Sequence, residues 1–170
     1  MVDVAIRRLG AEGVAAVEPL YRELHRHHLE IARVPVVRDP DLSWARRRQW
    51  YADKLAAGAV LLLAEAGQTP VGYALLELHR GPDDTWPVGE HYAELVSLVV
   101  SRDRRGQGIG GRLMAAVDAE LEQAGVADLM VGVLDGNDEA VRFYARHGLA
   151  VGELVMWRFG SRAAAGGAVR

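Results

Sequence analysis

Residues 104 to 114, RRGQGIGGRLM, set four glycines within six positions directly behind two arginines. Ile109, Leu113, Val117 and Leu121 then recur every fourth residue, so the glycines open a helix with one apolar stripe. The first turn of a helix presents N–H groups without intrahelical partners, and glycines let backbone close around a bulky anion. With Arg104 and Arg105 beside them, the chemistry is that of a phosphate site. Gly106, Gly108 and Gly111 also satisfy G-x-G-x-x-G, the dinucleotide fingerprint. That reading fits poorly, because SRDRR separates the glycines from the preceding strand and the only acid about 20 residues on, Asp128, begins a strand instead of ending one. No G-K-[ST] occurs, which excludes a P-loop. A plain strand-to-helix turn would be served by two glycines.

Other chemistry is narrower. The chain has no cysteine, so disulfides, thiolate metal sites and a cysteine nucleophile are all excluded. Of His25, His27 and His28, only His25 and His28 share a helix face, and no carboxylate completes a ligand set; no metal is expected. Arg46, Arg47 and Arg48 read as a solvated helix face. His147 near a helix end suits the helix dipole without a catalytic role.

These residues need a scaffold, and 170 residues with half of them hydrophobic allow one domain with a single sizeable core. The expected domain is 1–160, with 161–170 as a mobile tail. A formal charge of −3, from 20 basic and 23 acidic residues, gives no field for nucleic acid, and none is expected as a partner. The N-terminal residues lack a basic segment followed by an apolar run, and no stretch reaches the roughly 18 apolar residues of a membrane span. The expectation is a cytoplasmic protein with no membrane partner.

Val2, Val4 and Ile6 alternate with polar neighbours as a first strand. Helical spacing follows from about Ala11 to Ile31, its first turns disturbed by Gly13 and Pro19, and a second helix capped by Asp41 or Ser43 runs to about Ala57. AVLLLAEA and VGYALLELHR, joined by GQTP, predict a hairpin, and HYAELVSLVV from His91 to Val100 predicts a central strand. After the glycine-opened helix come a strand in VADLMVGVL, a short helix from Glu139 to His147, and one or two closing strands in AVGELVMWRF.

Within that order, Arg105-Gly106-Gln107-Gly108-Ile109-Gly110 resembles the [QR]-x-x-G-x-[GA] signature of the GNAT superfamily of N-acetyltransferases. Asn137 to Leu149, NDEAVRFYARHGL, is similar to the family's N-x-x-A-x-x-x-Y-x-x-x-G-F, with Leu149 in place of phenylalanine. The resemblance covers about residues 2 to 160 and implies an α+β fold, a mixed and mostly antiparallel central sheet flanked by about four helices. It implies acetyl-CoA as the acetyl donor, with its pyrophosphate on Arg105, Gly106, Gln107, Gly108, Ile109, Gly110 and Gly111, its pantetheine arm on Leu98, Val99 and Val100, and a further contact from Asn137. The implied activity is acetyl transfer directly to a primary amine of a small molecule or protein; a non-catalytic acyl-CoA sensor on the same fold is the alternative, and a homodimer is an open assembly.

A protonated amine cannot attack a thioester, and freeing a lysine-like amine at pH 7 costs roughly 4 to 5 kcal/mol. AELV at 93 to 96 resembles the AEIV around the base of histone-type members, which implies Glu94 as general base, with Glu77 in reserve. If simple alternation holds, Glu94 shares a strand face with Val96, Leu98 and Val100. Tyr144, by resemblance, is the acid for the departing thiolate, and it stands seven residues from Asn137, close to two helical turns. Asp83, Asp84 and Trp86, with Trp44, Trp50 and Tyr51, either line the acceptor pocket or form a polar loop and buried aromatics.

Overall fold

The computed structural model describes residues 3–33 and 39–158. Strands β1 (Val4–Leu9), β2 (Val60–Ala66), β3 (Thr69–Arg80) and β4 (His91–Val100) pair antiparallel in that order, and β5 (Leu129–Met130) joins β4 in parallel. Helices α1 (Glu18–Ile31), α2 (Pro40–Ala56), α3 (Ile109–Ala124) and α4 (Asp138–Arg146) cover the sheet. The architecture is α+β, with a mixed and mostly antiparallel sheet. No helix among the described residues is long and apolar enough to cross a membrane.

Alternation along the strands feeds two cores. Leu62, Ala74, Leu76 and Leu95 pack with Leu113 and Val117 of α3, while Leu61, Leu63, Tyr73 and Leu75 pack with Leu20 of α1 and Tyr51 of α2. Pro19 sits in the first turn of α1, where a missing N–H costs nothing. Residues Ala11–Val17 before it form a 3-10 segment, so the long helix expected from Ala11 divides there. Helix α2 is capped by Asp39 and not by Asp41 or Ser43: its Oδ1 accepts from Asp41 N at 3.0 Å and Leu42 N at 3.1 Å, and Pro40 opens the helix.

The site depends on an irregularity in β4. Ser97 lies opposite Leu75 and Leu95 opposite Leu76, so Val96 is an extra residue, a β-bulge. Before it, Ala93 and Leu95 face α3; after it, Leu98 and Val100 do, while Val96 and Val99 pack toward α1 and α2. Glu94 therefore shares its face with Ser97 and Val99, and the expected alignment with Leu98 and Val100 is overturned.

Two expected strands shrink or vanish. β5 is two residues long, although the apolar run spans 126 to 134, because it pairs only with the straight part of β4, at Ala93 and Glu94. Residues 150 to 158 form no strand, and Leu154, Met156 and Trp157 are exposed. A two-residue neighbour offers almost no ladder for closing strands to join. The tail expected at 161–170 lies outside the described residues.

Candidate active site

The glycine loop forms an open nest of donors. Gly106 and Gly108 adopt φ of +73° and +80°, a region that favours glycine, and Gly108 caps α3 without a side-chain partner. The first bond inside α3 runs from Arg112 N to Gly108 O, which leaves the N–H groups of Ile109, Gly110 and Gly111 without intrahelical acceptors. Gly110 is glycine for a packing reason: a Cβ there would stand 3.1 Å from Cε2 of Phe143 on α4. Ile109 is buried, whereas Arg105, Gly106, Gln107 and Gly108 are exposed. Arg105 Nε donates to Val100 O at 3.4 Å and Gln107 Nε2 to Asp103 O at 3.3 Å, tying the loop to the end of β4.

A cavity of about 670 Å³ lies against this loop, between α1 and the start of α4. Four arginines, Arg26, Arg102, Arg105 and Arg142, line it with His27, facing Glu23, Glu30, Asp138 and Glu139. Glu23 of α1 pins the loop in place, accepting from Arg102 N at 2.8 Å, while the Ser101 hydroxyl beside it donates to Asp103 Oδ1 at 2.6 Å. Asn137 also lines the cavity, and as the N-cap of α4 it accepts from Ala140 N at 3.2 Å. Its side-chain oxygen is thereby committed to the helix, leaving its NH₂ group as the donor.

Beyond the bulge, β4 has an open edge among the described residues, since β5 pairs only at Ala93 and Glu94. Ser101 N donates to Val71 O of β3, and the Val99 carbonyl points at Gly72 of β3. Backbone groups alternate along a strand, so Leu98 and Val100 face the open edge and Val99 does not. Of the three residues expected to offer backbone groups, Val99 is thus a core residue.

On the other face, Glu94 Oε2 lies 3.2 Å from His79 Nε2, and Glu77 stands opposite Glu94 in the β3 and β4 register. One ligand-capable atom from each of Glu77, His79 and Glu94 lies within 4.8 Å of the others. Lys54 of α2 occupies Glu77 with a 2.6 Å ion pair, and the His79 ring stacks on Tyr92. His79 and Lys54 were missed in the sequence, though the ELH spacing puts His79 on the face of Glu77.

Tyr144 is largely buried against α3. Burial pushes its hydroxyl up to about 12, so it stays protonated through the neutral range. No hydrogen bond occupies that hydroxyl among the described residues, nor is it a sealed, unsatisfied atom. Trp44 and Tyr51 are core residues, not pocket lining, while Trp50 is half-buried beside Lys54 and Trp86 is exposed. Asp83 accepts from Thr85 N and Trp86 N, which holds its carboxyl below its usual value. Arg46 and Arg48 are exposed as expected, but Arg47 is not solvated: it is half-buried against Tyr21, Trp50 and Tyr51.

The chain belongs to the acetyltransferase (GNAT) family, whose pattern matches residues 14–149. No curated protein matches it. Solved structures share the fold at low identity. A GCN5-related N-acetyltransferase from Ralstonia eutropha is 21% identical with a TM-score of 0.73, over 92% of this chain and 99% of that one. A ribosomal-protein-alanine N-acetyltransferase from Brucella melitensis is 18% identical with a TM-score of 0.68, over 93% and 100%. The PaiA N-acetyltransferase of Thermoplasma acidophilum, in complex with coenzyme A, is 18% identical with a TM-score of 0.69, over 90% and 93%.

Proposed function

We propose that the protein transfers acetyl from acetyl-CoA directly to a primary amine within a ternary complex. The observation that supports this reading is the juxtaposition along one strand: the open donor nest at Ile109, Gly110 and Gly111, the β4 edge at Leu98 and Val100 that no described strand covers, and Glu94 before the bulge. The pyrophosphate sits on the nest, where each favourable charge gains about 0.3 to 1 kcal/mol, with Arg105 and the other cavity arginines supplying the rest. The amide-bearing pantetheine arm pairs with Leu98 and Val100 as an added strand would.

Glu94 takes a proton from the incoming ammonium, and the freed nitrogen lone pair attacks the thioester carbonyl carbon. The C–N bond forms, the C–S bond breaks with its electron pair leaving on sulfur, and the second ammonium proton passes from the nitrogen to solvent. A hydroxyl held at about 12 gives up a proton to a thiolate only uphill, so Tyr144 stabilises the leaving sulfur as a hydrogen-bond donor and the thiolate is protonated by solvent. With no cysteine in the chain, no thioester on the protein precedes transfer.

Calorimetry with acetyl-CoA and with NAD tests the donor, and thiol release across an amine panel tests catalysis. Saturable acetyl-CoA binding and amine-dependent thiol release are expected. Binding without release on any amine would favour a sensor, and binding of NAD alone would defeat the reading.

A further inference from the structure

Among the described half-buried cations on the α2 side of the sheet, Arg47 is the one that no carboxylate answers, its partners being neutral rings and a hydrogen bond to the Tyr21 hydroxyl. Its guanidinium carbon lies 5.4 Å from the ring centroid of Tyr21, 5.0 Å from Trp50 and 5.5 Å from Tyr51. No carboxylate forms an ion pair with it among the described residues, and none of the remaining residues of the chain is an aspartate or glutamate. Lys54, two turns on along α2 and over the same Trp50 ring, shows the contrast, because Glu77 answers it at 2.6 Å. Ring faces offset part of the cost of withdrawing a guanidinium from water, and an anion offsets far more.

The surroundings of Arg47 favour an anion. His28 is held down at about 4 by burial, then by its neighbours His27, His25 and Arg47, so it is a neutral donor above that pH. The Tyr51 hydroxyl beneath Arg47 bonds to Ser97 at 2.9 Å, and Ser97 shares the β4 face of Glu94. Arg47 and Lys54 are seven residues apart, roughly 10 Å along the helix axis. Lys54 marks the end of that face where Glu77 and Glu94 meet.

We propose that Arg47 binds an oxyanion, carboxylate or phosphate, carried by the amine acceptor, so that the site selects amines with a negative group on the order of 10 Å from the nitrogen. This rests on the reading of Glu94 as the amine end of the site. Trp50 packs the methylene chain between the two charges.

The test is calorimetry on the whole protein saturated with coenzyme A. The probes are ω-aminocarboxylates of four to eight carbons, the matching ω-aminoalkyl phosphates, and neutral alkylamines of the same lengths. At least one anionic probe is expected to bind tenfold or more tightly than its neutral twin, and the better series tells carboxylate from phosphate. Arg47→Met, which keeps the apolar stem, should cut affinity for that probe at least tenfold more than for the twin, and Arg47→Lys should retain part of the preference. Equal binding of anionic and neutral probes by the wild type, or equal losses for both in Arg47→Met, would overturn the proposal. Preferential binding without thiol release on any of these amines would count against acetyl transfer and leave the anion site standing.

Discussion

The two sides of β4 are built in different ways. On its open edge, the donor nest is continuous in sequence: residues 105 to 111 supply the amides, and Leu98 and Val100 lie a few residues upstream. On its α2 face, the proposed acceptor side is assembled from α2, β3 and β4, with Arg47, Lys54, Glu77, His79 and Glu94 brought together by packing and register. Local backbone geometry is specified by glycine over a few residues, whereas a face made from three elements exists only after folding. The first can be shared across a family, and the second is free to diverge.

Changes on either side should therefore fail in separate ways. Glu94→Gln is expected to have the largest effect, lowering kcat/KM by about 10² to 10⁴-fold at neutral pH with coenzyme A affinity intact. The deficit should narrow as pH approaches the acceptor's own value near 10.4, where free amine forms unaided, and a pH series of initial rates reads this directly. Gly110→Val should damage the donor side instead: the added carbons meet Phe143 and Val100, costing about 1 to 3 kcal/mol of stability and raising the Kd for coenzyme A, measured by melting and calorimetry.

Tyr144→Phe removes one hydroxyl from an otherwise apolar environment and should lower kcat about tenfold, near 1.4 kcal/mol, with Kd for coenzyme A unchanged. Because Tyr144 keeps its proton up to about 12, wild-type rates should show no loss from its ionisation between pH 7 and 10. The smallest effect is on stability. His28 is held at about 4 against an ordinary 6.5, so its contribution is complete above 6.5 and is lost as pH falls toward 4. His28→Gln should flatten the fall in melting temperature over that interval, by the equivalent of about 1 kcal/mol once the roughly 3 kcal/mol of the full shift is discounted for the ring's partial exposure to solvent.

The same contrast explains what the sequence reveals. The strand order and a helix that begins within the glycines follow from local pattern and turn chemistry. The bulge at Val96 does not, because an extra residue in an apolar strand leaves no mark in alternation, and it moves Glu94 off the face of Leu98 and Val100. Arg47 looks like Arg46 and Arg48 until helix phase turns it toward Tyr21 and Tyr51. The closing strands expected in AVGELVMWRF fail for a related reason: apolar composition gives a segment a tendency, and only an available edge gives it a partner.

Steady-state thiol release over a grid of acetyl-CoA and amine concentrations separates direct transfer in a ternary complex from binding alone and from an acetylated protein. Direct transfer gives release that requires both substrates, with intersecting double-reciprocal lines from a ternary complex and one N-acetylated amine for each thiol. Saturable acetyl-CoA binding with no amine-dependent release, or parallel lines from an acetylated protein intermediate, would contradict it.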